Sequence, residues 1–178
     1  MSNQQSIQQN GRGIISIPQW ILQTSNLTRL SLRKNQIALL SNEISQLPHL
    51  KHLDFSENQL VALPPEIGLL TELQNLLLAF NNLSILPRTF SLCVNVESLD
   101  LKGNKLTNVP FFFTRFVRLA RLDMTNNVLQ VTFGCILFTL QHFFFLSILS
   151  RISYWVIRLK GLNSLNLTLT IHSTHSGI

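Results

Sequence analysis

Apolar side chains return at one fixed interval through most of the chain. Leu27, Leu50, Leu73, Val96 and Leu119 stand 23 residues apart, and the same step relates Leu30, Leu53, Leu76, Leu99 and Leu122, then Leu32, Phe55, Leu78, Leu101 and Met124. A polar column keeps the same step: Asn35, Asn58, Asn81, Asn104 and Asn127. Further along each unit come Ile37, Leu60, Leu83, Leu106 and Leu129, then Leu40, Leu63, Leu86 and Val109, and last Ile44, Ile67, Phe90 and Phe113. Pro64, Pro87 and Pro110 follow the second of these columns, with Ser41 standing in that place in the first unit. Constant spacing over such an interval is the signature of stacked repeats.

The spacing carries a physical reading of its own. Within L-x-x-L-x-L the last two Leu are two apart, so they share one face of an extended strand while the residues around them face the other way. One strand per unit is predicted. A single unit cannot bury its apolar side alone, so the units stack around a shared core and their strands form a parallel sheet along one face. The rest of each unit returns along the opposite face, where Pro disfavours a regular strand and predicts a turn, a short 3₁₀ piece or an extended run. The Asn column sits where the chain leaves the strand, and a short amide there satisfies backbone donors and acceptors. Its predicted role is a structural ladder, in which Asn→Ala costs about 1–3 kcal/mol.

These residues carry a resemblance to a known family. Residues 50–58, L-K-H-L-D-F-S-E-N, followed by Q-L-V-A-L-P-P-E-I-G at 59–68, resemble the leucine-rich repeat in its 23-residue form with L-P-x-x-I. That form is typical of intracellular Ras-pathway scaffolds and of Scribble-type polarity proteins. The resemblance is strong over 27–131 and weaker in a half unit at Ile14, Ile17, Pro18 and Ile21. It implies an α/β leucine-rich-repeat solenoid: a curved right-handed coil with a parallel sheet on its concave face and a short 3₁₀ or irregular convex face, used as a protein-binding frame. It does not single out one member of the family. Three regions are expected: 1–26, a polar start and partial repeat acting as a cap; 27–131, five repeats; and 132–178, an apolar, acid-free tail. Trp20, Ile21 and Leu22, with Ile7 and Ile14, are the apolar residues available to cover the amino end, and residues 1–10 are expected to be mobile.

Composition supports the repeat, since 35 of the 178 residues are Leu and 16 are Asn. The net charge of +6 does not point to nucleic acid. Basic residues are scattered among acids as far as Asp123; only Arg115, Arg118 and Arg121 approach a cluster, and no aromatic-plus-basic motif accompanies them. After Asp123 no acid occurs, while Arg151, Arg158 and Lys160 add positive charge. The register fails beyond Leu129, and 133–149 holds no charged residue. Three readings of this run stand side by side. It is near the short limit for a membrane span, although Gln141 and His142 are costly in lipid; it folds over the last repeat as a cap; or it ends a truncated form of a longer repeat scaffold. The amino terminus lacks the basic start and apolar stretch of a secretory signal, so the expected location is cytoplasmic, with a membrane-anchored chain facing its repeats to the cytosol as the alternative. The N-x-S/T triplets at Asn26, Asn82 and Asn166 read as coincidences of composition.

Catalytic groups are not arranged for chemistry. Cys93 lies in an apolar column with Leu47, Leu70 and Phe116, and Cys135 has no basic neighbour to activate it. His49 and His52 point to different faces, His172 and His175 belong to the tail, and no phosphate-cradling glycine motif occurs. No enzyme activity, cofactor or metal is expected. Function is assigned to the outward side of the strands, where Arg33, His52, Asp54, Glu57, Leu77, Phe80, Asp100, Lys102, Arg121 and Asp123 are the candidate partner-binding residues. Leu77, Ala79 and Phe80 break the polar pattern in the third repeat and suggest an apolar centre within a charged rim. Five strands about 4.8 Å apart and roughly 16 Å long offer a few hundred Å², against about 800 Å² per partner in a standard interface. The expected protein is thus a monomeric, non-enzymatic adaptor in intracellular signalling. Its concave face binds a protein partner weakly unless rims or ends contribute.

Overall fold

A computed structural model describes residues 5–129 and, beyond them, the backbone of two short strands at 155–157 and 170–173. Each 23-residue unit contributes one three-residue strand: β1 (Ser6–Gln8), β2 (Arg29–Ser31), β3 (His52–Asp54), β4 (Asn75–Leu77), β5 (Ser98–Asp100) and β6 (Arg121–Asp123). Neighbours pair parallel, and every step of the register equals the sequence repeat: Ile7 lies beside Leu30, then Leu53, Leu76, Leu99 and Leu122. Side chains alternate across each strand, so this central column is buried while its neighbours face out. The sheet then changes direction. β8 (Thr170–Ser173) pairs antiparallel with β6, and β7 (Trp155–Ile157) pairs antiparallel with β8.

The returns are short helices. A four-residue helix α1 (Gln19–Leu22) serves the first unit, and 3₁₀ turns at Asn42–Gln46, Pro65–Leu69, Arg88–Leu92 and Phe111–Arg115 serve the next four. Pro64, Pro87 and Pro110 hold the extended backbone ahead of three of these turns, where the fixed φ of Pro suits the entry and its missing N–H leaves nothing unpaired. Ser41 fills the same place by another means, its side chain accepting a hydrogen bond from the Glu43 N–H at 3.2 Å. Between sheet and returns the apolar columns close into one core, from Ile7 and Ile21 through Phe55 and Phe90 to Phe113 and Leu122. Gly68 lies in close contact with the next return. A Cβ there would run into the backbone carbonyl of Thr89, so this buried site accepts only hydrogen.

The Asn side chains bind one unit to the next. Asn58 Nδ2 donates to the carbonyl of Phe55 in its own unit at 3.0 Å and to that of Leu32 in the preceding one at 2.9 Å, while its Oδ1 accepts from the Ile37 N–H at 3.1 Å. Asn81, Asn104 and Asn127 repeat the pattern one unit at a time. Asn35 makes the same two donations, to Leu32 and Gln9, and accepts from Arg12 and Ile14. All five are buried.

The amino end differs from the sequence expectation. Residues expected to be mobile include β1, whose Ile7 is 2% exposed and packs in the same column as Leu30. The repeat register therefore begins a full unit before the consensus residues do, because one inward apolar side chain suffices to place a strand in the stack. Trp20, expected to help cover the end, is 48% exposed, and Ile21 and Leu22 are the buried residues of α1. Among the described residues no helix is long and apolar enough to cross a membrane. The run 133–149, with Cys135, lies outside the described residues, as do the side chains of His172 and His175.

Candidate functional site

The outward positions of the strands form two columns on the concave face. Arg29, His52, Asn75, Ser98 and Arg121 make one, and Ser31, Asp54, Leu77, Asp100 and Asp123 the other, each residue beside its counterpart on the next strand. Strands pair about 4.8 Å apart, so side chains within a column are near neighbours. Leu77, partly exposed, is the apolar member of the second column. Toward β1 the face dips into a hollow of about 180 Å³ whose lining includes Gln8, Arg29, Ser31, His52, Asp54 and Leu77, smaller than the roughly 300–1,000 Å³ of ordinary small-molecule pockets.

The aspartates of the second column hold the backbone as well as facing solvent. Oδ1 of Asp54 accepts from the Ser56 N–H at 2.9 Å, that of Asp100 from Lys102 at 3.0 Å and that of Asp123 from Thr125 at 2.8 Å. Each bond closes a turn of the kind that short acidic side chains favour. Ser31 joins by a different route, donating its hydroxyl to Asn10 Oδ1 at 2.8 Å. Asp100 is pushed up from the ordinary carboxylate range by burial and by the charges of Asp123 and Asp54, against the lowering effect of the Lys102 N–H and ammonium. In the first column Asn75 Nδ2 lies 2.9 Å from His52 Nδ1. With the amide nitrogen facing it, that ring nitrogen accepts. Burial, and then Arg29 and Lys51, push His52 below its usual value, with Glu97 opposing.

Beyond the strands each unit passes through a left-handed residue. Gly11, Lys34, Glu57, Phe80, Gly103 and Asn126 all have φ between 55° and 65° and recur at the repeat step. Two candidate residues, Glu57 and Phe80, occupy this turn, with Arg33 and Lys102 as their partners. Glu57 pairs with Arg33, whose Nε lies 2.9 Å from Oε1, and with Lys34 at 3.7 Å, and the Arg33 bond holds the Glu57 carboxyl below its usual range. Phe80, 50% exposed, is turned to the rim, where its ring covers Gly103 and carries the Lys102 ammonium 5.6 Å from its centroid.

The structure thus brings Asp54, Leu77, Asp100 and Asp123 together in a single file, with His52 and Arg121 alongside. It sets Arg33 with Glu57, and Phe80 with Lys102, at the rim. Ala79 does not contribute the apolar surface expected of it. It is 5% exposed, and Ser56 one repeat earlier is buried as well. Sequence reasoning also missed Asn10, whose Oδ1 accepts from the Arg33 N–H at 2.9 Å. It lies in the unit where consensus residues are fewest.

The Cys and His residues weighed for chemistry are buried or engaged among the described residues. Cys93 is fully buried, donates to the Ile67 carbonyl at 3.3 Å and has its thiol pushed up to about 12 by burial. His49 is engaged by Glu72 at 2.9 Å and His52 by Asn75, and no three His, Cys, Asp or Glu are grouped to hold a metal ion among the described residues.

Comparison with known proteins agrees with the fold. A family model described as Leucine Rich Repeat matches residues 49–70, the stretch that holds β3 and its 3₁₀ return. No curated protein matches the chain. A solved leucine-rich-repeat protein of Leptospira interrogans is 33% identical with a TM-score of 0.52 over 66% of this chain. An internalin of Listeria monocytogenes is 23% identical with a TM-score of 0.65 over 72% of it, a likeness of fold. The matched part is 36% of the length of each of those two chains.

Proposed function

From the chain's being a leucine-rich-repeat solenoid, we propose that it is a protein-binding module whose partner lies along the concave face. Solenoids of stacked repeats present extended concave surfaces suited to this use. One observation carries the reading: partly exposed Leu77 interrupts a file of carboxylates between Asp54 and Asp100, with Asp123 beyond. An apolar anchor with charged flanks is the ordinary make-up of a protein interface. A partner covering Leu77 also meets His52 and Arg121 on one side and the Phe80–Lys102 pair on the other. The strands offer less area than a standard interface needs, so the rims belong to the contact. An adaptor role in cytoplasmic signalling, which the L-P-x-x-I resemblance implies, is part of the same proposal.

The test is affinity capture with the native chain and with a Leu77→Arg, Asp100→Asn double variant. Asn retains the acceptor that the Lys102 N–H requires, so the turn survives the change. The variant is expected to keep its circular dichroism spectrum and a cooperative melting transition and to lose the partners held by the native chain. Capture that is unchanged in a folded variant removes the concave face from the proposal.

A further inference from the structure

The returns on the far side of the solenoid change character along the stack. Residues 38–50 carry Glu43 as the one fixed charge, and 61–73 carry Glu66 and Glu72, with no Lys or Arg in either. Residues 84–96 carry Arg88 alone, and 107–119 carry Arg115 and Arg118, with no acid in either. Exposed apolar residues occur in all four returns, Leu39, Val61 and Leu69 in the first two; in the last two, where they stand beside the arginines, they are Ile85 at 67%, Leu92 at 49%, Val94 at 44%, Phe111 at 67% and Val117 at 62%. Val94 and Val117 occupy the place of Pro48 and Thr71, and Phe111 that of Asn42. Arg88, Arg115 and Arg118 are exposed, and none is paired with an acid among the described residues.

Phe111 rests on a rigid base. Its ring lies 5.9 Å from that of Phe112, which packs edge-on against Phe113 and Phe116, and Phe116 in turn meets Phe90 of the preceding return. The two turns Arg88–Leu92 and Phe111–Arg115 are stacked neighbours, so their protruding side chains form one ridge in which apolar groups alternate with guanidiniums.

We propose that this ridge, formed by the Arg88–Val94 and Phe111–Arg118 segments, rests on the surface of an anionic phospholipid bilayer. Guanidiniums match the negative head groups, and Phe111, Val117, Leu92 and Val94 enter the boundary between head groups and acyl chains. Both parts of the ridge are then used. A nucleic acid would engage the three arginines and leave the apolar residues in water. An acidic protein would match the charge, but a convex ridge gives it no groove to fit. A planar, fluid, anionic surface needs none.

The experiment is co-sedimentation of the full chain with phosphatidylcholine vesicles, with and without about 30% phosphatidylserine, at about 0.1 M and about 0.5 M salt. Binding is expected only with phosphatidylserine and is expected to weaken at the higher salt. Arg115→Glu with Arg118→Glu is expected to weaken it about tenfold or more, and Phe111→Ser with Val117→Ser to do likewise. Lys105→Glu, on the turn after Asn104 and away from the ridge, changes the net charge in the same sense and is expected to leave binding unchanged. Equal, salt-insensitive binding to both vesicle types overturns the proposal and assigns lipid contact to the uncharged run 133–149. Retention by either double variant overturns it as well. So does vesicle binding displaced by duplex DNA at matched phosphate, which makes the ridge a general polyanion site. The lipid and salt comparison uses the native chain alone and holds even if a variant does not fold.

Discussion

Asn and Asp differ by one group, and the solenoid uses them for different work. An amide donates and accepts, so Asn81 donates to the carbonyls of Phe55 and Leu78 while accepting from the Leu60 N–H, all within the core. Asn81→Ala leaves these peptide groups unpaired and is expected to lower stability by about 1–3 kcal/mol in urea unfolding. Asn81→Asp at neutral pH is expected to lose more, because it sets a buried carboxylate against two carbonyl oxygens. Asp100 has a single bond to make, to the Lys102 N–H, and its charge is unwelcome because the group is partly buried and, secondly, because it stands beside Asp123 and Asp54. Its folded pKa is raised, so the folded state holds its proton to higher pH than the unfolded chain does. The contribution of Asp100 to stability is therefore fullest below about pH 4 and is lost as pH rises through the folded value. Asp100→Asn is expected to melt higher than the native chain at pH 7, with the gap closing below about pH 4; a gap independent of pH sinks this account. The Asn ladder was legible in the sequence because the same residue type fills the column in every repeat. The aspartate turns were not, since that column also holds Ser31 and Leu77 and a strand aspartate reads as a solvent-facing charge.

The strand and its exit turn are the element that repeats, and here a side chain crosses from one unit to the next. Six residues at the repeat step adopt a left-handed backbone, yet only Gly11 and Gly103 are glycines and Asn126 is the lone asparagine. Lys, Glu and Phe at the other places hid the conformation from sequence reading, since such residues are rare with φ above zero. For the same reason Phe80 read as a member of the concave face, whereas the turn carries it onto Gly103. A Cβ on Gly103 would stand 2.6 Å from Phe80 Cδ1. Gly103→Ala is therefore expected to cost about 1 kcal/mol for the left-handed backbone and a further amount for moving the ring. The ring part disappears in a Phe80→Ala background, so a double-mutant cycle should show coupling of about 0.5–1 kcal/mol; additive losses would mean that the ring yields freely. Gly68→Ala meets backbone instead of a ring, at the carbonyl of Thr89, and is expected to cost about 1–3 kcal/mol by overpacking with no single side chain able to relieve it.

For the whole molecule, identity of register from unit to unit has a consequence that no single contact shows. Every strand pairing from β1 to β6, and every Asn bond between units, joins residues whose separation is fixed by the 23-residue step. A solenoid built this way is stabilised by each unit and by its interface with the next. Removal of one whole unit should therefore leave its neighbours able to pair. Deletion of residues 73–95 joins Glu72 to Val96 and sets β5 beside β3, with Leu99 in the place of Leu76 and Asn104 in the place of Asn81. The Leu60 N–H and the Phe55 carbonyl then meet Asn104. Deletion of one residue fewer leaves one extra residue in the joining unit, which must either bulge out of its return or turn that unit's inward side chains to the outward face and draw its Asn amide from the preceding carbonyl. The 23-residue deletion is expected to melt cooperatively, below the native chain, with a circular dichroism spectrum of the same shape, while the 22-residue deletion is expected to melt lower still. Equal behaviour of the two deletions would mean that register is not what holds the stack together. The in-register deletion also removes Leu77 while keeping Asp54 and Asp100, now adjacent. It should fail to hold the concave-face partner even though it folds, which separates the frame from the surface it displays.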